Sequence, residues 1–240
     1  MFQPAIKLLE LTKKYGRQTA LDSISLSVAK GEVFGLAGPN GAGKSTLLTI
    51  ISTVVPPTSG EAYVDGFSVL HNKEKIRPLI GYVPQEVALY TTLSGLDNLK
   101  FWAELHDLRG KLKKTRIKEA VELVGIGDKI KDRVDTYSGG MKKRLNIAVS
   151  LIHNPSVLVM DEPTAGVDIV SRKYITGIIR SFAENGKTVV FSSHYMEDIE
   201  GVCDRIALLE QGRLKFSGRT EELKSRFGKG SIADIMMDME

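Results

Sequence analysis

The stretch GLAGPNGAGKST, Gly35 to Thr46, constrains this chain more than any other part of it. An apolar run (Val33, Phe34, Leu36, Ala37) stops abruptly in glycines, and Leu47, Leu48, Ile50 and Ile51 then recur with the spacing of a helix face. Strand, glycine loop and helix is the context in which Gly38, Gly43, Lys44 and Ser45 satisfy G-x-x-x-x-G-K-[ST]. Such a loop turns its backbone N–H groups inward around phosphate oxygens, which demands φ values and close approaches that a Cβ blocks. Gly38, Pro39, Asn40, Gly41, Ala42, Gly43, Lys44, Ser45 and Thr46 are therefore the candidate phosphate-binding residues. The helix that follows adds unpaired N–H groups and the positive end of its dipole. Lys44 brings a mobile charge for the β- and γ-phosphates, and the Ser45 hydroxyl a ligand for Mg2+. A nucleoside triphosphate with magnesium is the expected ligand.

Composition narrows the class. With 240 residues, 42% hydrophobic and 26% charged, the chain is an ordinary globular one with enough apolar residues for one large core or two modest ones. The net charge of +4 is mild. Its basic residues are spread out apart from a run at Lys111 to Lys118 and a triplet at Lys142 to Arg144, both read as solvated helix faces, so no nucleic-acid partner is expected. The single cysteine, Cys203, excludes an intrachain disulfide and a zinc site of the usual kind, and is expected in the core. The start, MFQPAIKLLELTKKYG, has no long apolar segment behind a basic opening, and no window approaches a membrane span. The expectation is a soluble chain that reaches a membrane only through a partner.

Taken in order, residues 5 to 34 read as strands, with Ile24, Leu26 and Val28 alternating with serines and Lys30-Gly31 turning into the strand that feeds the glycine loop. Tyr15 should approach that loop, where it is either core packing or an exposed platform on which adenine stacks; position alone leaves this open. After a break at Pro56 to Gly60, Glu61 to Val64 with Asp65-Gly66 reads as a strand and turn, and Ile80 to Pro84 as a strand ending at Gln85. From Ser94 to about Lys131 the pattern turns helical (Leu96, Leu99, Trp102, then Ile117, Ala120, Val124), followed by Tyr137-Ser138-Gly139-Gly140-Met141 and a helix to about Ile152. Strands return at Val157 to Met160, covered on both faces and so parallel, and at Thr188 to Ser192, with helices after each and a hairpin across Gln211-Gly212.

The chemistry gathers at strand ends. Asp161 and Glu162 close a buried strand, where unpaired acids are costly. With a magnesium triphosphate at the neighbouring strand end, Asp161 orients the metal or its waters and Glu162 polarises a water for in-line attack on the γ-phosphate. His194 ends the next strand within reach of the γ-phosphate, and Gln85 ligates the metal or positions the water. Open α/β sheets bind ligands along such an edge. Ser138-Gly139-Gly140, opening a helix, makes a second anion-binding terminus whose purpose one nucleotide does not explain.

The order Tyr15, GPNGAGKST, Gln85, YSGGM, VLVMDEP, Asp168 and His194 resembles the ATP-binding cassette family, the nucleotide-binding subunits of ABC transporters, from Ala5 to about Ser217. PTAGVDIVSR and SSHYMEDIEGVCDRIALLEQGRL make it most similar to stand-alone cassettes that pair with ABC-2-type export permeases. The resemblance implies a P-loop NTPase core with a mostly parallel sheet, an antiparallel β subdomain and a helical subdomain inserted at about 90–155, all within residues 1–228, and a short tail at 229–240. It implies ATP and Mg2+ as cofactors and hydrolysis with Glu162 as catalytic base. Two copies, or a copy and a paralogous cassette, dimerise head to tail, so that Ser138, Gly139 and Gly140 reach the partner's ATP and Asp168 communicates across the dimer. Tyr15 then stacks on adenine, and Gln85 with the helical lobe receives the permease on the cytoplasmic side of the membrane. Tyr137 and Met141 depart from the commoner LSGGQ, which puts a side-chain contact from position 141 to the nucleotide in doubt. A cassette acting on ribosomes or nucleic acid is the alternative; it would co-purify with ribosomes rather than membranes. A non-catalytic ATP-binding regulator is a third reading, and would release little phosphate.

Overall fold

The computed structural model describes residues 3–227; the tail at 229–240 lies outside the described residues. The elements run β1 (Ile6–Tyr15), β2 (Gln18–Val28), β3 (Val33–Ala37), α1 (Lys44–Ile51), β4 (Ser59–Val64), β5 (Phe67–Ser68), α2 (Lys73–Ile76) and β6 (Ile80–Val83). Three helices follow, α3 (Gly95–Leu105), α4 (Gly110–Val124) and α5 (Gly139–Leu151). The chain then returns to strands with β7 (Val157–Met160), α6 (Ile169–Glu184), β8 (Thr188–Ser192), α7 (Met196–Val202), β9 (Arg205–Glu210), β10 (Arg213–Gly218) and α8 (Thr220–Phe227).

Two sheets form. The larger has the order β10-β9-β3-β8-β7-β6, the smaller β2-β1-β4-β5. In the larger, β3 runs parallel to β8 and β9, and β7 parallel to β6 and β8; β10 alone is antiparallel. Every residue of β3, β7 and β8 is buried, as expected of unbroken apolar runs covered on both sides. Successive side chains of β7 divide between two cores. Leu158 and Met160 pack with the helical residues Leu99, Val124, Leu145 and Ile175. Val157 and Val159 pack with Leu47 and Leu48 of α1 and with Ile6, Leu8 and Ile24 of the antiparallel sheet. The sheet thus separates a helical layer from a β layer, the α/β architecture that the sequence implies.

Local signals fix the ends. Ser94 accepts from the Asp97 N–H at 3.1 Å to start α3, and Ser138 from the Met141 N–H at 3.2 Å to start α5. Asp168 caps α6 by accepting from the Ser171 N–H at 2.9 Å. Among the described residues no helix is long and apolar enough to cross a membrane.

One expectation needs correction. The strand that ends in Asp161 and Glu162 is not the neighbour of the strand that feeds the glycine loop; β8 lies between β3 and β7. The parallel crossovers built by α5 and α6 set this order, and it puts four site-bearing strand ends (β6, β7, β8, β3) side by side.

Candidate functional site

The glycine loop is shaped by what a side chain would hit. Gly43, at φ +102°, caps α1, and a Cβ there would come within 2.5 Å of the Ala20 carbonyl oxygen. At Gly38 a Cβ would come within 2.2 Å of the Leu209 carbonyl oxygen. The loop therefore lies hard against β2 and β9, whose carbonyls leave no room for a side chain at either glycine. Among the described residues no side chain caps α1, so its first N–H groups face the loop unshielded by a cap. Lys44 is buried, and its ammonium folds back to donate to the carbonyls of Gly38 at 2.6 Å and Pro39 at 3.0 Å. Burial lowers its pKa, opposed by the charges of Glu162 and Asp161.

A cavity of about 320 Å3 opens over this loop, lined by Asn40 to Thr46 together with Tyr15, Gln18, Gln85 and Glu162. Tyr15 is 49% exposed, with the Lys13 ammonium 4.9 Å from its ring centroid, so it is not core packing. The site fits a triphosphate: backbone donors and one cation around a cavity that Glu162 also lines, while Asp161 and His194 are not among the residues lining it. Ser45, Gln85 and Asp161 offer hydroxyl, amide and carboxylate oxygens, the donor set of a hard divalent cation.

The acids are built with care. Asp161 is 4% exposed and accepts from the Ser192 hydroxyl at 2.6 Å, and the same hydroxyl accepts from the Glu162 N–H at 2.9 Å. Glu162 sits at φ +46°, a left-handed backbone that a non-glycine residue adopts at a cost of order 1 kcal/mol. That turn aims its carboxylate away from the strand toward the cavity, where Oε2 lies 3.1 Å from His194 Nδ1. Asp161 and burial together push the neighbouring Tyr82 phenol up to about 12, burial being the larger cause.

Ser138, Gly139, Gly140 and Asp168 do not line this cavity. They form a second patch: a Cβ on Gly140 would come 2.1 Å from Ser171 Oγ and 3.1 Å from Asp168 Oδ2. The Ser171 N–H and hydroxyl hold the exposed Asp168 carboxyl below the usual carboxylate range.

Sequence reasoning missed four residues. Lys143 belongs to the triplet read as a solvated face, yet it is 8% exposed and its ammonium donates to the Gln85 carbonyl. One turn on, Asn146 is 3% exposed and its side-chain oxygen accepts from the Ala88 N–H at 3.3 Å. Arg144 is also engaged, donating to the carbonyls of Val124 and Gly125 at 3.2 and 3.3 Å. The reading failed because α5 has no free face: Leu145, Ile147, Ala148, Val149 and Leu151 are buried around its circumference, which was the available signal. Ser192, the fourth, reads as the polar end of an apolar strand.

Residues 21–165 match the family described as ABC transporter. The linearmycin resistance ATP-binding protein LnrL of Bacillus subtilis (strain 168) is 44% identical over 225 residues, spanning 94% of this chain and 72% of LnrL. The daunorubicin resistance ATP-binding protein DrrA3 of Streptomyces coeruleorubidus is 38% identical over 237 residues, spanning 99% of this chain and 75% of DrrA3. The dimeric post-hydrolysis structure of the ATP-binding cassette MJ0796, bound to ADP and Pi, matches with a TM-score of 0.81 at 29% identity, covering 89% of this chain and 98% of that one. With the glycine loop, the paired acids and the histidine gathered at one sheet edge, the chain belongs to the ABC transporter family as an ATP-binding cassette.

Proposed function

We propose that this chain is the Mg2+-dependent ATPase of an exporter, seated on the cytoplasmic side of an ABC-2-type permease and driven through its cycle by head-to-tail pairing with a second cassette. The observation that carries the reading is the division of the motif residues into two patches. Lys44, Gln85 and Glu162 line one cavity with His194 at its rim, while Ser138 to Gly140 and Asp168 stand apart from it. A second copy turned by a two-fold axis supplies the missing patch to each nucleotide. The dimeric form of MJ0796 supports that arrangement. The names of LnrL and DrrA3, both resistance proteins, support export over import.

The geometry supports a role for each of these residues. Tyr15 stacks on the adenine and Asn40 to Thr46 wrap the phosphates. Lys44 exchanges its loop carbonyls for phosphate oxygens, an ion pair in place of a bond from the ammonium to a neutral acceptor. Ser45, Gln85 and Asp161 would hold Mg2+, which when bound neutralises charge on the β- and γ-phosphate oxygens. Glu162 takes the proton of the water that attacks the γ-phosphorus in line as the bond to the bridging oxygen breaks, leaving ADP and phosphate. His194 keeps Glu162 oriented through Nδ1 and meets the γ-phosphate. Hydrolysis removes the charge that holds the two copies together, and their parting resets the permease.

Glu162→Gln tests this directly. The variant should bind ATP with wild-type affinity, lose turnover by at least about a hundredfold and run as a dimer in light scattering with ATP and magnesium. Turnover at the wild-type rate would end the assignment of Glu162 as base, and a monomer at saturating ATP, with or without its permease, would end the paired mechanism.

A further inference from the structure

His194 presents a difficulty for the mechanism. Its side chain is 42% exposed, on the short connection between β8 and α7, and a catalytic contact there needs one rotamer to be favoured over the others. Its contact with Glu162 does not by itself supply that, since Glu162 must be oriented too.

The next residue supplies it. The Tyr195 ring lies 4.1 Å from the His194 ring, centroid to centroid, tilted by 39°. The same Tyr195 ring takes the Arg172 guanidinium 4.4 Å from its centroid. Arg172 is anchored in turn: its Nε donates to Asp198 Oδ1 at 2.7 Å, in a position where Asp198 is only 5% exposed. Asp198 Oδ2 accepts from the Thr164 hydroxyl at 2.7 Å, and Thr164 is 2% exposed and two residues beyond Glu162. The contacts close a ring: Glu162, His194, Tyr195, Arg172, Asp198, Thr164 and back along the backbone to Glu162. Arg172 Nη2 is buried with no hydrogen-bond partner among the described residues, so the guanidinium is not oriented by hydrogen bonds at every nitrogen. Its Nη1 lies 3.5 Å from the exposed Glu197 carboxylate.

We infer that Arg172 and Tyr195 are positioning residues for ATP hydrolysis: their cation–ring–imidazole stack holds His194 against Glu162, and Asp198 with Thr164 fastens that stack to the segment bearing Glu162. The inference rests on the proposed role of His194 in hydrolysis. It also gives Asp168 a mechanical route into the site. Arg172 lies on the first turn of α6, its N–H donating to the Asp168 carbonyl at 2.9 Å, so a second copy that shifts Asp168 shifts the base of the stack. A buried ion pair with no such duty would hold α6 to α7 and nothing more, and the two cases separate in a double-mutant cycle.

The test measures steady-state ATPase of the full chain for Arg172→Met and Tyr195→Leu, each alone and with His194→Ala. Alone, each should lower kcat about tenfold and leave KM within about twofold. With His194→Ala, neither should lower the residual rate by more than about twofold, because the group they position is gone. Tyr195→Phe, which keeps the ring, should recover the turnover lost in Tyr195→Leu. If Tyr195→Leu does not fold, Arg172→Gln serves as the second variant, with ATP binding and thermal melting checking that it folds. Losses that multiply in the His194→Ala background would overturn the inference, as would a wild-type kcat in Arg172→Met beside a collapsed rate in His194→Ala; both leave the ATPase reading standing. A wild-type rate in His194→Ala itself would overturn the inference and the proposed role of His194 together.

Discussion

The Ser192 hydroxyl is fully buried, donates to Asp161 Oδ1 at 2.6 Å and accepts from the Glu162 N–H at 2.9 Å. Removing it strands a carboxylate oxygen and an amide hydrogen together, and an unpaired buried group costs about 1–3 kcal/mol. Ser192→Ala should therefore lower the unfolding free energy by about that amount in a urea titration, and also slow turnover, because the strained turn at Glu162 loses one of its ties. A variant as stable and as active as the wild type would show that the hydroxyl bridges nothing of consequence. Asp161 and Glu162 themselves were legible in the sequence, since acids closing an apolar strand need a reason to be there. Ser192 was not. A serine at the end of such a strand looks like the first residue of a loop, and only the lateral pairing of β7 with β8 brings it beneath the acids.

Helix α5 and the segment it grips form the element that joins the helical layer to the site. Lys143 and Asn146, one turn apart, hold the main chain at Gln85 and Ala88. Asn146→Ala should raise the hydrogen-exchange rate of segment 85–88 and lower kcat without weakening ATP binding; unchanged exchange would mean the segment is held by other contacts. A second junction of the same layers is the stacked pair His106 and His153, 4.0 Å apart and nearly parallel. His153 Nε2–H donates to the Ile80 carbonyl at 3.0 Å, and burial, with His106 second, depresses its pKa to about 4. Burial lowers that of His106 too. A base with a depressed folded-state pKa takes up protons more readily when unfolded, so stability is full above the unfolded value and falls as pH drops toward the folded one. Between about pH 6.5 and 4 His153 alone should cost the fold up to about 3 kcal/mol, with His106 acting in the same direction, and His153→Gln should flatten that slope in urea titrations run across the range. Helices in this region were easy to read from their spacing. Their buried polar residues were not, because periodicity marks where apolar side chains recur and is silent about a lysine whose ammonium finds a carbonyl.

At the scale of the molecule, the list of strands and helices along the chain followed from apolar runs and glycine punctuation, but their order across the sheet did not. Nothing in residues 157–192 says that β8 slides between β3 and β7; that comes from the crossovers through α5 and α6. The separate patch at Ser138 to Gly140 and Asp168 was legible as an anion-binding helix start, and its remoteness from the glycine loop only in three dimensions. Pairing makes a sharp prediction from that remoteness. Lys44→Ala and Ser138→Arg should each be inactive, and an equal mixture should regain turnover, since a mixed dimer rebuilds one intact site from two damaged chains. A mixture as dead as its components would mean that each copy works alone.

The glycine loop is wedged between Ala20 on one side and Leu209 on the other, and the Gly212 N–H of the β9–β10 turn donates to the Ala42 carbonyl at 3.1 Å. A nascent chain carries residues 38 to 46 out of the ribosome long before residues 209 to 212 exist to brace them. The grip on phosphate is thus a late acquisition of synthesis: a polypeptide released before the hairpin is made owns every motif residue and still lacks the vice that gives them their shape.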